Sequence, residues 1–240
     1  MIYYATSDTG RIREQNEDFC FASDSPVGSL DNLFIVCDGM GGHNAGEFAS
    51  EGAVSLMVRE IGTSDIRDPY EALGRGIEAA NSAIHKRSVD DPAKAGMGTT
   101  LVAATIFGSE LYVANVGDSR LYMYDNNGLC QVTRDHSYVE EMVRKGLITR
   151  DEARVHRDRN KITRAVGVLE SVRIDYFDVP VKRGMQILLC TDGLTGMLPD
   201  DQIDKVLAGN DSVEEKATTL VRMANDSGGN DNITVILIEI

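Results

Sequence analysis

Along this chain, short apolar runs keep ending beside an aspartate. Leu33-Phe34-Ile35-Val36-Cys37 runs into Asp38-Gly39, residues 111–116 run into Gly117-Asp118, and Ile187-Leu188-Leu189-Cys190 runs through Thr191 into Asp192-Gly193. Asp231-Asn232 opens the last run, 233–240. Short apolar runs bounded by turn residues predict buried strands. The pattern places strands over 2–8, 19–23, 32–38, 98–107, 111–116, 120–124, 172–179, 185–190 and 233–240. Gly108-Ser109 and Gly117-Asp118 supply the turns of a meander.

Helical spacing appears between these runs. Over 47–61, Phe48, Val54, Leu56, Met57 and Ile61 can share one face, and over 70–87 Leu73, Ile77, Ala80 and Ile84 recur at threes and fours. Residues 138–145 and 150–155 read as a short, charged helical excursion. Helices are also predicted over 201–207 and 213–224, with Ser212 capping the second. Strand groups separated by helix pairs do not give a regular βαβα alternation. The predicted class is therefore α+β, with antiparallel sheets covered by helices. No Pro/Gly/Ser-rich linker and no internal repeat interrupts the 240 residues, so a single domain is expected.

Hydrophobic content of 42% supports a substantial core. The net charge of −14 argues against nucleic acid and anionic lipid as partners. No apolar stretch approaches the roughly 20 residues of a membrane span, and no secretory leader opens the chain. A cytoplasmic protein without a membrane partner is expected. Cys20, Cys37, Cys130 and Cys190 are scattered and form no C-x-x-C pair, so they read as small buried hydrophobes in a reducing compartment. The N-x-S/T sequons at Asn210, Asn225 and Asn232 read as chance.

Carboxylates at strand ends can converge on one edge of a sheet, where they repel one another unless a cation sits between them. Hard oxygen donors, with neither Cys nor paired His beside them, favour Mg²⁺ or Mn²⁺ over zinc or copper. Two such ions about 3.5–4 Å apart would acidify a water and clamp a phosphate for in-line attack. A glycine beside Asp38, Asp118 and Asp192 permits a sharp turn and lets a bare carbonyl approach the metal. Arg13 stands four and five residues before Glu17 and Asp18. That makes Arg13 a candidate for bidentate phosphate binding, Asp18 a candidate ligand and Glu17 an acceptor for metal-bound water.

Seven segments, in order, carry a resemblance to a known family. They are Arg13-x-x-Asn16-Glu17-Asp18, residues 36–43 (VCDGMGGH), Gly98-Thr99-Thr100, Val113-x-x-Val116-Gly117-Asp118-Ser119-Arg120, Asp135-His136-Ser137, residues 189–194 (LCTDGL) and Asp231-Asn232-Ile233-Thr234. Together they resemble the metal-dependent type 2C protein phosphatases in their short bacterial form (PPM family). The resemblance implies a β-sandwich of two antiparallel sheets flanked by pairs of helices. It also implies hydrolysis of phosphoserine and phosphothreonine by direct attack of a metal-bridging water, opposing a bacterial serine/threonine kinase. Carried over by position, Asp38 bridges two metals and the Gly39 carbonyl binds one. Asp192 and Asp231 bind the first ion, and Glu17 and Asp18 hold the second largely through waters. Asp118, with Asp192, binds a third, weaker ion, and Arg13 binds phosphate.

One departure stands out. Animal members carry a histidine directly after the Asp-Gly pair, and here that position is Met40. His43, or a water on the third metal, is then the candidate general acid. Gly41 and Gly42 are candidates for close substrate approach.

Residues 144–164 carry eight basic and three acidic side chains in an acidic protein. They read either as a solvated helical face or as part of a flap, about 136–166, that steers phosphorylated partners. In the family this region is a variable flap.

Two other functions use parts of the same pattern. A two-metal nuclease or nucleotidase shares the ions, but the acidic surface disfavours a polynucleotide. A phosphopeptide-binding module would not need a full ligand set. No cysteine is followed six positions later by arginine, no G-x-S-x-G occurs, and Glu47 stands where a P-loop needs lysine. The expectation is a monomeric phosphatase acting on phosphorylated proteins.

Overall fold

A computed structural model describes residues 1–42 and 45–240. His43, the candidate general acid, lies outside the described residues. The chain begins with strands β1 (Ile2–Asp8), β2 (Asp18–Ser23) and β3 (Leu33–Met40), followed by helices α1 (Ala45–Gly62) and α2 (Pro69–Asp90). Strands β4 (Gly98–Thr99), β5 (Leu101–Phe107), β6 (Glu110–Val116), β7 (Arg120–Asp125) and β8 (Gly128–Gln131) come next. Two short helices, α3 (Tyr138–Arg144) and α4 (Arg150–Val155), precede β9 (Asp175–Pro180) and β10 (Gln186–Cys190). The chain closes with α5 (Asp192–Thr195), α6 (Asp200–Leu207), α7 (Val213–Asp226) and β11 (Ile233–Glu239).

The strands form two antiparallel sheets. One has the order β1-β11-β10-β7-β8, and the other has β2-β3-β5-β6-β9 with β4 on β3. Alternate residues of each central strand point into different cores. Leu33, Ile35 and Cys37 of β3 pack under α1 and α2, whereas Phe34 and Val36 face the other sheet. On β10, Leu188 and Cys190 pack beneath α6 and α7, while Ile187 and Leu189 fill the gap between the sheets. A strand buried on both faces reads as a continuous apolar run, which is why these segments were legible. The layers are helix, sheet, sheet, helix, as the family resemblance implies.

Local chemistry explains the helix starts. Asp68 caps α2, with Pro69 in its first turn, and Ser137 caps α3. Thr149 with Glu152 and Ser212 with Glu215 form capping boxes.

Several expectations need correction. Strand β8 was not predicted: it is a short edge strand of half-buried and exposed residues and shows no apolar run. Phe48 is exposed, with the Lys94 ammonium 4.1 Å above its ring. The buried stripe of α1 instead uses Ala45, Ala49 and Ala53 with Val54, Met57 and Ile61, because small residues let the helix sit close to the sheet. Cys37 and Cys190 are buried, but Cys20 is only partly so and Cys130 is exposed on the edge strand. The strand expected from 172 starts at Asp175, and Val172 and Ile174 pack instead against the core under α1 and α2. Asn225 and Asn232 are buried, which puts neither side chain within reach of a glycan.

Candidate metal centre

The two sheets bring their carboxylates to one shared edge. Asp18 opens β2 directly opposite Asp38 on β3. Asp118 lies in the turn between β6 and β7, Asp192 follows β10, and Asp231 precedes β11. A cleft of about 210 Å³ opens there. Its walls include Arg13, Glu17, Asp38, Gly39, Gly41, Asp118, Asp192 and Asp231. Asp18 is buried behind this wall, and Gly42 is exposed and does not line the cleft.

Neighbours hold the Asp18 carboxylate and the Asp38 backbone. Asp18 Oδ2 accepts hydrogen bonds from the Thr191 and Thr234 hydroxyls at 2.8 and 2.7 Å. The Asp38 N–H donates to Thr100 Oγ1 at 2.9 Å. The Asp38 carbonyl accepts from the Thr100 N–H at 2.9 Å and from the Thr99 hydroxyl at 2.8 Å. The Gly98-Thr99-Thr100 segment is thus a brace for the Asp38 backbone. Gly39 must be glycine here, because a Cβ would strike the carbonyls of Gly46 and Glu17. A Cβ on Gly41 would press on Ala45 Cβ at 2.8 Å.

Asn232 ties the N-terminal loop to the last strand. Its Oδ1 accepts from the Glu17 N–H at 2.8 Å, and its Nδ2 donates to the carbonyls of Thr9 and Gln15, both at 2.9 Å. Arg13 Nη2 donates to Asp231 Oδ2 at 2.9 Å, and Nη1 stands 3.9 Å from Glu17 Oε2. The guanidinium is thereby suspended over the cleft.

Electrostatics marks the site as short of positive charge. Burial, then the charges of Asp18, Asp192 and Asp118, raises the Asp38 pKa well above the usual carboxylate range. Burial and then Asp192 do the same to Asp118. Asp192 is raised by burial and by Asp231. Burial pushes Asp18 up to about 7 despite its two hydroxyl partners. Among the described residues, buried Asp18 Oδ1 and Asp192 Oδ1 have no hydrogen-bond partner.

An unpartnered buried carboxylate oxygen is costly unless a proton or a cation compensates it. The donor set is all oxygen and fits Mg²⁺ or Mn²⁺. Among the described residues, no three acidic, His or Cys side chains converge on a single point. Asp38, Asp118, Asp192 and Asp231 stand around the cleft walls.

Sequence reasoning missed several contributors. Asn160 and Ile162, in the stretch that follows α4, line the cleft. Ser50 donates to the Glu17 carbonyl at 2.6 Å. Thr191 and Thr234 hold Asp18. Only the threonines had a signal, since they flank Asp192 and Asp231.

Comparison with known proteins places this geometry in context. The family model described as protein phosphatase 2C matches residues 3–173. The chain is 42% identical over 239 residues to the serine/threonine phosphatase stp of Listeria welshimeri, with 97% of this chain and 93% of that protein covered. A bacterial serine phosphatase crystal structure superposes with a TM-score of 0.92 at 32% identity, covering 100% of this chain and 98% of that one. The catalytic domain of serine/threonine protein phosphatase PstP, in complex with two manganese ions, superposes with a TM-score of 0.88 at 33% identity, covering 99% and 97%.

Proposed function

The chain belongs to the protein phosphatase 2C family, and on that footing we infer how its own residues perform the reaction. It is a metal-dependent serine/threonine protein phosphatase, and its substrates are phosphorylated proteins. The observation that carries the residue assignment is the ring of Asp38, Asp118, Asp192 and Asp231 around one cleft beside Arg13.

Asp38, Asp192, Asp231 and the Gly39 carbonyl would hold two Mn²⁺ or Mg²⁺ ions, with Glu17 and Asp18 supporting one of them. Asp118 and Asp192 would hold a third, weaker ion. When bound, the ions acidify water and neutralise charge on the phosphoryl oxygens. Arg13 exchanges its bond to Asp231 for a bidentate grip on the phosphoryl group and orients it. The brace of Thr99 and Thr100 keeps the Asp38 backbone from drifting. Gly39 and Gly41 let the cleft wall pack closely on the Glu17 and Gly46 carbonyls and on Ala45, which holds the Gly39 carbonyl in place.

Water attacks phosphorus directly. The new P–O bond forms as the bond to the serine or threonine oxygen breaks, and that oxygen leaves as the alcohol after taking a proton. His43 is the candidate donor of that proton. Thr100 is the lone hydroxyl among the described lining residues, and its oxygen is engaged by the Asp38 N–H and by Ser119 Oγ at 2.7 Å. Among the described lining residues, no hydroxyl is therefore free to accept the phosphoryl group.

The reading extends to the protein's setting. The chain acts as one domain, residues 1–240, with a flap over about 136–166. It works as a monomer in the cytoplasm, where it opposes a serine/threonine kinase. No helix among the described residues is long and apolar enough to cross a membrane.

The test is phosphate release from a phosphothreonine peptide and from a nucleotide, with Mn²⁺ and then with excess chelator. Release from the peptide that requires Mn²⁺, with little from the nucleotide, is expected. Preferred turnover of the nucleotide, or peptide turnover that survives the chelator, would overturn the reading.

A further inference from the structure

His136 stands where the Asp118 turn meets the flap. The side chain is buried at the start of the 138–155 excursion and does not line the cleft. Its backbone N–H donates to the Gly117 carbonyl at 2.9 Å. The Gly117 N–H donates back to His136 Nδ1 at 3.0 Å. Gly117, at φ +110, immediately precedes Asp118, and a Cβ there would press on Thr100. The turn that aims Asp118 is therefore gripped by Thr100 on one side and by the imidazole on the other.

The chemistry of the ring follows from its partners. A backbone N–H can only donate, so Nδ1 accepts and the proton belongs on Nε2. Nε2 faces Asp175 Oδ2 at 3.1 Å. Arg164 Nη1 donates to the other oxygen of Asp175 at 2.7 Å, and it also lies 3.0 Å from Nε2. A carboxylate that accepts from an imidazole N–H fixes its tautomer and ring orientation, and here that ring holds the Gly117 N–H. The same residue closes the flap: the His136 carbonyl accepts from the Thr163 N–H at 2.7 Å, and Ser137 bridges Ile162.

We propose that His136 is a positioning residue that sets the Asp118 carboxylate through Gly117 and couples the base of the flap to that turn. The inference rests on the reading of Asp118 as a ligand for a divalent ion. Its prediction is an Asn/Gln asymmetry. Asn places an amide oxygen near the position of Nδ1 and can still accept from Gly117, whereas Gln reaches toward Asp175 and leaves the Gly117 N–H without an acceptor.

Mn²⁺ binding to the full chain is measured by titration with spectroscopic detection of the free ion, for the wild type, Asp118→Ala, His136→Ala, His136→Asn and His136→Gln. Asp118→Ala should lose the weakest class of site. His136→Ala and His136→Gln should weaken that class about 10-fold, and His136→Asn should stay within about 2-fold of wild type. If Asp118→Ala binds Mn²⁺ as the wild type does, the ligand assignment beneath the inference is wrong. If Asp118→Ala loses the site while His136→Ala and His136→Gln keep it, the positioning role is wrong. Should His136→Ala fail to fold, the contrast between Asn and Gln decides, and equal affinities in those two would overturn the proposal.

Discussion

The Thr191 hydroxyl donates a 2.8 Å hydrogen bond to Asp18 Oδ2, joining the two sheets across 173 residues of sequence. Thr191 Oγ1 also accepts from the Thr234 N–H at 3.0 Å, so one oxygen serves both a buried carboxylate and a buried backbone donor. Thr191→Val keeps the shape and deletes both bonds. A loss of about 1–3 kcal/mol is expected, the range for leaving a buried polar group unpaired. Thermal unfolding of the two proteins in chelator measures it, and an unchanged Tm would mean that the pairing carries no stability.

The raised carboxylates set the pH dependence of the metal-free protein. Asp18 rises from its ordinary 3.8 to about 7, and Asp38, Asp118 and Asp192 rise too. Between those two values the folded state holds protons that the unfolded chain has released. The stabilisation is present below the unfolded pKa and is lost as pH climbs through the folded pKa. In chelator, Tm should therefore fall between about pH 4 and about pH 7, and less so in Asp18→Asn. Added Mn²⁺ replaces the protons, so the Tm gain from Mn²⁺ should grow with pH across the same window. A Mn²⁺ gain that shrinks with rising pH would contradict this.

Arg13 is bonded to Asp231 but is nearly half exposed, with 46% of its side chain accessible. Exposed pairs of this kind contribute little to stability. Arg13→Ala should leave Tm nearly unchanged and cost about 1.5–3 kcal/mol in kcat/KM, the value of a charge-assisted hydrogen bond. Arg13→Lys should recover only part of the loss, because an ammonium cannot grip two oxygens in a fork. Steady-state kinetics on a phosphothreonine peptide decides it, and an unaltered KM in Arg13→Ala would remove Arg13 from the phosphate site.

In the proposed flap, Lys145, Arg150, Arg157, Lys161 and Arg164 each meet a carboxylate, whereas Arg154 bonds a backbone carbonyl. Arg154 Nη1 donates to the Thr195 carbonyl at 3.2 Å, and the exposed Arg157 stands 3.4 Å from Asp158. Neutralising Arg154, Arg157 and Arg159 together should raise KM for phosphoproteins and spare a small aryl phosphate, because only the protein substrate extends over the flap. Equal effects on both substrates would show that these arginines act on the metal centre and not on docking.

Much of this was legible in the linear chain. The runs before Asp38 and Asp192, and the run after Asp231, announced strands because both their faces are buried and no polar residue interrupts them. Ser212 and the Asp-Gly pairs announced helix and turn boundaries because caps and turns are local chemistry. Strand β8 escaped because a half-exposed edge strand has no continuous apolar signal. Phe48 was misplaced because periodicity cannot say whether a helix packs by large residues or by alanines.

What the sequence by itself determined was the set of elements, the acidic residues at their ends and the family they resemble. Tertiary structure decided which hydroxyl meets which carboxylate. Thr191 with Asp18, Asn232 with Glu17, and His136 with Gly117 are pairs chosen by sheet stacking and strand register. Those depend on contacts summed over the whole core, so no local pattern around either partner encodes them.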